Sequence, residues 1–341
     1  MTVDVKTLGI CLIGCGRAGM IHARGFINHV PGAALVALAD PSVEALRAAK
    51  EETGVSACYT DYRDALARKE VDAVVVVSPT KYHCEIVLAA AAAKKHILCE
   101  KPMAMNEEEC GRMIAAAAEH NVKLQIGFMR RFDDSFMAAK EMIDAGEIGD
   151  VVLVKSHTRG PSTPQPWMYD IQKSNGPLAE VNSHDIDTLR WFSGSEFASV
   201  YAIGGNYRCP DAKESYPDFY DNVLLTGSFQ NGAQGCIDGA QGVGYGYDAQ
   251  AEIVGTHGVI HVGRKQEHFV TACSRDGRLK TPYVTTWRKL FVDAYLAEDR
   301  HFAQCILQDR EPRVTGLDGK MAVRVVNAGN LSIVEKRIIT L

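Results

Sequence analysis

The chain has 341 residues, 46% of them hydrophobic and 23% charged, the mix of an ordinary globular protein, and its length predicts two domains rather than one. A net charge of −5 argues against a nucleic-acid partner, which needs a basic face. The opening MTVDVKTLG lacks the pattern of a secretory leader, and no apolar run approaches the roughly 20 residues of a membrane span.

The first half reads as alternating strands and helices. Leu8–Ile13 is an apolar run that ends in Gly14-Cys15-Gly16-Arg17-Ala18-Gly19, and a helical stretch follows to about Val30. Leu35–Ala39 is a second apolar run, ending in Asp40. GxGxxG alone is a weak signal; between a strand and a helix, with an acidic residue about 20 positions on, it is a dinucleotide fingerprint. Gly14 permits the tight turn, Gly16 lets the backbone approach a pyrophosphate, and Gly19 allows close helix–strand packing. The anion then sits where unpaired N–H groups and the helix dipole favour it. Asp40 accepts hydrogen bonds from a ribose diol and repels a 2′-phosphate, so NAD is expected over NADP. Arg17, Ala18, Ser78, Pro79, His83, Glu100 and Lys101 complete the candidate cofactor contacts.

The alternation continues with helices over Ser42–Thr53 and Asp61–Arg68, a buried strand over Val71–Val77, and an alanine-rich helix reaching about Lys95. Ile97–Cys99 is a short strand ending in Glu100-Lys101-Pro102. Asn106 caps a helix with Glu107, Glu108 and Glu109 in its first turn, and Val122–Ile126 closes the set. This is a doubly wound parallel sheet over residues 1–125. Proline holds Lys101 extended at the carboxyl end of a strand, where ligands bind in open α/β sheets. An ammonium is thereby expected near the cofactor's reactive end.

Residues 126–341 change pattern and form the expected second domain. A helix runs from Arg131 to about Ala145. Along Val151–Arg159, Leu153, Lys155, His157 and Arg159 share one face, as expected for a sheet lining a polar cleft. Residues 160–177 read as a long loop holding Trp167 and Tyr169, of the length that often serves as a lid. Over residues 173–192, Glu180, His184 and Asp187 are spaced four and three apart, which on one helix puts them on one face. Short runs at Ser199–Gly205, Val223–Gln230, Gly235–Ala240, Gln250–Val254 and Val259–Val262 read as an antiparallel or mixed sheet. Tyr245 and Tyr247 lie in a glycine-rich connector, and 291–308 and 318–337 read as closing helices. The ten cysteines contain no CxxC pair; they read as reduced thiols of a cytoplasmic protein, and no metal site is expected.

GCGRAG with Asp40, Glu100-Lys101-Pro102, the segment Gly127 to Asp133 (GFMRRFD) and the Glu180/His184/Asp187 group resemble the Gfo/Idh/MocA oxidoreductase family over essentially the whole chain. GFMRRFD and HDID look most like its inositol dehydrogenase branch. The resemblance implies an N-terminal Rossmann domain and a C-terminal α+β domain with a large open mixed or antiparallel sheet. That sheet mediates oligomers in the family, so a homotetramer or homodimer is expected, with a closing helix packed back on the Rossmann domain. The resemblance also implies an active-site lysine from the EKP motif and an Asp-x-x-x-His pair, which carry over to Lys101 and His184. Where the family has aspartate this chain has Glu180, which either orients Lys101 or touches a substrate hydroxyl, unless Asp185 or Asp187 takes over.

Oxidising a secondary alcohol requires a positioned carbon and a base that titrates near the working pH, for which histidine is the usual choice. His184 is therefore expected to accept the hydroxyl proton, Lys101 to stabilise the developing alkoxide, Glu180 to tune Lys101, and Asp187 to hold another hydroxyl. Arg130, His157, Arg159, Trp167, Tyr245 and Tyr247 are candidate wall residues for a small, neutral, hydroxyl-rich substrate. A cyclitol such as scyllo- or myo-inositol, or a similar unphosphorylated pyranose, fits. An NAD-dependent glycosidase and a non-catalytic NAD-binding regulator are the alternatives.

Overall fold

The computed structural model describes residues 7–341; residues 1–6, which carry most of the expectation about a leader, lie outside them. In chain order the first half runs β1 (Leu8–Ile13), α1 (Gly19–Asn28), β2 (Ala33–Ala39), α2 (Val43–Thr53), β3 (Cys58–Tyr59), α3 (Tyr62–Leu66), β4 (Ala73–Val76), α4 (His83–Ala92), β5 (His96–Glu100), α5 (Glu107–Glu119) and β6 (Leu124–Gly127). All six strands are parallel, in the order β3-β2-β1-β4-β5-β6. This is the doubly wound arrangement, in which the order of strand connection reverses between β1 and β4. β1 and β4 are buried along their whole length, as continuous apolar strands covered on both faces must be. Asn106 caps α5 as its sequence predicts, accepting from the Glu109 N–H at 2.9 Å.

The second half runs α6 (Asp134–Asp144), β7 (Val151–Gly160), α7 (Ile171–Ser174), α8 (Gly176–Glu180), α9 (Ser183–Ser193), β8 (Phe197–Gly205), β9 (Asn222–Phe229), β10 (Gln234–Gln241), β11 (Asp248–Gly255) and β12 (Val259–Val262). A small hairpin, β13 (Ala272–Cys273) and β14 (Leu279–Lys280), precedes α10 (Trp287–Leu290), α11 (Val292–Leu307), α12 (Gly316–Glu335) and β15 (Ile339–Thr340). The larger sheet has seven strands in the order β12-β11-β7-β10-β9-β8-β15. It is mixed: β7 and β10 pair in parallel and the other neighbours antiparallel. Residues 160–177, expected as one long loop, instead carry a 3-10 turn at Pro166–Met168, the helix α7 and the start of α8.

The chain divides into two compact units. One comprises residues up to Phe132 together with Asp293–Met321; the other comprises Asp133–Val292 together with Ala322–Leu341. The first unit thus extends past residue 125 and takes in chain from the far end. Within it, Ile126 N–H donates to the Val314 carbonyl at 3.2 Å and Gln125 bridges to Thr315, so the returning segment covers the β6 edge. Phe302 and Ala303 of α11 join Ile10, Leu12, Phe26 and Leu38 in its core, and full burial of a phenylalanine such as Phe302 contributes about 1.5–3 kcal/mol. Among the described residues, no helix is long and apolar enough to cross a membrane.

Candidate active site

In the first unit, the turn after β1 has the shape the fingerprint requires. Gly14 takes a φ of +103°, and a Cβ there would lie 2.6 Å from the Val77 carbonyl oxygen. A Cβ at Gly19 would lie 1.9 Å from the Gly14 oxygen, whereas one at Gly16 would meet nothing within 4 Å. The turn is closed on the protein side and open at Gly16. Ala18 precedes α1 with no side-chain cap; Met20 N–H donates to the Gly16 carbonyl at 3.0 Å and Ile21 N–H to the Ala18 carbonyl at 2.9 Å, and the positive end of the helix dipole still faces the turn, where it favours an anion. Asp40 follows β2 directly; its carboxylate accepts from Cys15 N–H at 2.7 Å and Ser42 N–H at 2.8 Å, which fixes it beside the turn. Arg17 is exposed. These residues fit a dinucleotide.

Two further strand ends of this unit carry predicted residues. Ser78 and Pro79 follow β4, and His83 opens α4. The His83 ring is buried, with Nε2 2.7 Å from the Ser78 carbonyl and Nδ1 2.9 Å from the Pro102 carbonyl. Burial lowers its pKa while those carbonyls raise it, and the ring braces the two loops. Lys101 follows β5, and its peptide bond to Pro102 is cis. Glu100, expected to contact cofactor, turns inward: Oε2 accepts the Lys101 N–H at 3.0 Å, while Oε1 lies 3.2 Å from His22 Nε2. Arg130 is buried in the 3-10 turn Met129–Phe132; its neighbour Arg131 pairs with Asp318 at 2.8 Å.

In the second unit the expected single helix is broken. Glu180 ends α8, Val181 and Asn182 intervene, and His184 lies in the first turn of α9. The spacing that would put Glu180, His184 and Asp187 on one face therefore does not apply across the junction. Asn182 leaves the helical region at φ −92°, ψ 1°, and its Nδ2 donates to Asp185 at 2.8 Å. Asp185 also accepts the Ser156 hydroxyl of β7, which ties α9 to the sheet. Asp187, expected to hold a substrate hydroxyl, is 2% exposed and faces Arg190 at 3.4 Å; Arg190 Nε in turn donates to Glu196 at 2.7 Å. His184 is buried, and its carbonyl accepts from the Thr188 hydroxyl at 2.7 Å.

The side chains of β7 settle which face carries what. Val154, Ser156 and Thr158 are buried, and Ser156 meets α9. His157 and Arg159 alternate with them and lie on the opposite face, away from His184. There they gather on Asp248: His157 Nε2 at 3.1 Å, Arg159 at 3.9 Å, Lys265 Nζ at 3.6 Å and the Tyr245 hydroxyl at 3.2 Å. Burial would raise the Asp248 pKa, but the hydrogen bonds of His157 and Gln250 and the nearby cations hold it at about 2. His157, Arg159 and Tyr245, expected as wall residues, are thus paired in one charged cluster, in which Arg159 bonds Asp238 of β10 as well. Tyr247 is buried, its ring 6.4 Å from Phe291, and Trp167 is 49% exposed.

Sequence reading missed Asp248, the Ser156–Asp185–Asn182 bonds, and a buried group around His22. It also missed Gly239 of β10, where a Cβ would lie 2.1 Å from Asn182 Oδ1; the missing side chain lets the α8–α9 junction seat on the sheet.

Residues 8–128 match the model described as an oxidoreductase family with an NAD-binding Rossmann fold, and residues 136–261 match the GFO/IDH/MocA C-terminal domain. A myo-inositol 2-dehydrogenase of Thermotoga maritima is 35% identical over 97% of this chain and 98% of its own length. The scyllo-inositol 2-dehydrogenase (NAD(+)) of Bacillus subtilis is 34% identical over 92% and 90%. The crystal structure of scyllo-inositol dehydrogenase from Lactobacillus casei with bound NAD(H) and scyllo-inositol superposes with a TM-score of 0.90 at 29% identity, covering 98% of this chain and 99% of that one. With the glycine turn, the strand-end lysine and the mixed sheet already in place, the chain belongs to the Gfo/Idh/MocA family of NAD-dependent oxidoreductases.

Proposed function

We propose that this protein oxidises a secondary hydroxyl of a cyclitol, scyllo- or myo-inositol, or of an unphosphorylated pyranose with a similar hydroxyl pattern, to the ketone or lactone. The observation that carries the reading is the near full-length similarity, across both matched domains, to enzymes named for inositol oxidation. When bound, NAD+ supplies the acceptor for the hydride that leaves the carbinol carbon.

The chain's own residues supply the rest. His184 takes the hydroxyl proton onto an imidazole nitrogen. Lys101 donates a hydrogen bond to the same oxygen and stabilises the alkoxide charge as it develops. Glu180, a methylene longer than the family's aspartate, keeps the negative charge that tunes the lysine. Gly14, Gly16 and Gly19 cradle the pyrophosphate, and Asp40 selects NAD over NADP by accepting from a ribose diol and repelling a 2′-phosphate.

We also infer a cytoplasmic homotetramer. Its support is an open sheet face with Tyr201, Ile203 and Leu224 exposed at 37%, 57% and 48%, and ten cysteines that are all free thiols. Light scattering on the purified protein checks the assembly.

NADH formation measured against a panel of inositols and unphosphorylated sugars, with NAD+ and NADP+ in parallel, tests the reaction. Turnover on an inositol with NAD+, at a kcat/KM well above that with NADP+, is expected. Silence across the panel with NAD+ binding intact overturns it and points to glycosidic cleavage or a regulatory role.

A further inference from the structure

His22 stands at the centre of a buried group within the first unit that the reaction chemistry does not use. Its ring, on α1, is fully buried. Nδ1 lies 2.7 Å from Asp299 Oδ1 on α11, and Nε2 lies 3.2 Å from Glu100 Oε1 on β5. Tyr295, one turn before Asp299, sets its ring edge-on to the imidazole at 5.3 Å. Glu298, also on α11, is fully buried, and neither of its carboxyl oxygens has a protein hydrogen-bond partner. Small residues make the room: a Cβ at Gly25 would lie 2.6 Å from Asp299 Oδ2, and one at Gly127 would lie 2.8 Å from Glu100 Oε1. From α11, the Glu298 carbonyl accepts from Gln125 Nε2 at 3.3 Å and His301 Nδ1 lies 2.9 Å from Gln125 Oε1, so β6 holds the helix in place.

We propose that His22, as an imidazolium clamped between Asp299 and Glu100, is the positioning residue for Lys101. Ionised carboxylates only accept hydrogen bonds, so a ring with a carboxylate at each nitrogen is satisfied by donating from both. The clamped Glu100 offers its other oxygen to the Lys101 N–H at 3.0 Å. Fixing that carboxylate fixes the backbone from which the Lys101 side chain projects, and small misplacements of a reacting group are costly. Burial disfavours the charged ring, but the charges and hydrogen bonds of Asp299 and Glu100 outweigh it and lift the His22 pKa well above 6.5. Burial and the Glu100 charge lift Glu298, and burial lifts Asp299 too, against the charge and hydrogen bond of His22. The donor atoms of His22, Glu100 and Glu298 also lie within 4.8 Å of one another, the spacing of a cation cage, and this supplies a rival to be tested.

The catalytic part of the inference rests on the reading of Lys101 given above; the protonation part does not. Nitrogen NMR of the histidine rings in the full-length protein should show His22 doubly protonated at neutral pH. A neutral His22 ring, or a stoichiometric divalent metal in the purified protein, overturns the proposal. Selective labelling of lysine amides should show the Lys101 N–H shifted and exchanging faster in Asp299→Asn and His22→Gln. Those variants should lose about tenfold or more in kcat with a smaller change in KM for NAD+. A fall in Tm with kcat and the Lys101 amide unmoved shows a merely structural role and overturns it. The NMR readouts on the unmutated chain need neither substrate nor a folded variant. A silent substrate panel beside a doubly protonated His22 therefore indicts the reaction and not the clamp.

Discussion

The two sheets distribute their chemistry in opposite ways. In the parallel sheet of the first unit both faces are core, so β1 and β4 are buried throughout, and the candidate site residues Gly14–Gly19, Asp40, Ser78 and Lys101 lie at or just past strand ends. In the mixed sheet of the second unit one face packs on α9 and the other does not, so a single strand, β7, carries Ser156 toward Asp185 and His157 and Arg159 the other way. A polar residue in the first sheet declares its place by lying at an end. A polar residue in the second declares only its parity, and which parity faces the chemistry depends on where a distant helix sits.

The largest effect that tests this contrast is at His184. His184→Ala should cut turnover at least about a hundredfold, equivalent to about 2.7 kcal/mol of barrier. His157→Ala and Arg159→Ala should each leave turnover within about threefold, because they stand on the far face around Asp248. Steady-state rates of the three variants check it. A hundredfold loss in His157→Ala would move the chemistry to the wrong side of the sheet and break the comparison.

The same contrast explains what was legible beforehand. Five of the six strands of the first unit, its fingerprint and the Asn106 cap could be read because each is a local pattern: an apolar run, a spacing, a side chain bonding an N–H three residues on; the two-residue β3 is too short to leave one. Six of the mixed sheet's seven strands were legible for the same reason, from turn signals between short runs; the two-residue β15 was not. The break at Val181–Asn182 was not, since neither residue is glycine or proline and the chain's best local alternative is to continue the helix. The tertiary bond from Ser156 to Asp185 fixes it, beside a local one from Asn182 to Asp185 three residues on. The His22–Asp299 contact spans 277 residues, and no local periodicity joins a histidine in one apolar helix to an aspartate in another. The ion pair of Asp187 with Arg190 follows an i,i+3 spacing and was open to reading; the expectation of a substrate role overrode it.

A middle-sized effect sharpens the account of how α9 is seated. Gly239→Ala puts a methyl 2.1 Å from Asn182 Oδ1, and overpacking of this kind costs about 1–3 kcal/mol. Because Asn182 leads directly into the His184 turn, turnover should fall together with Tm. Thermal unfolding and kinetics on the same sample test this. A stable variant with normal turnover would mean that the junction relaxes freely and that the sheet does not set it.

The last test concerns the buried charges of the first unit and turns on the sign of a proton balance. Glu298 is lifted well above its ordinary 4.5, by burial first and then by the charge of Glu100, with His22 opposing. The native state therefore keeps a proton that the unfolded chain releases near its roughly 4.3. Where the native state binds more protons than the unfolded one, stability falls as pH rises. The stabilisation from this group is complete below the unfolded pKa and is lost as pH climbs toward the folded one. Glu298→Gln preserves the neutral shape without needing the proton. Its stability relative to the unmutated chain should therefore improve steadily as pH is raised from about 5 to about 8. Paired denaturant titrations across that range measure the trend. A difference that stays flat with pH would mean that Glu298 is ionised in the folded protein, and the buried group would then carry a charge that His22 alone does not balance.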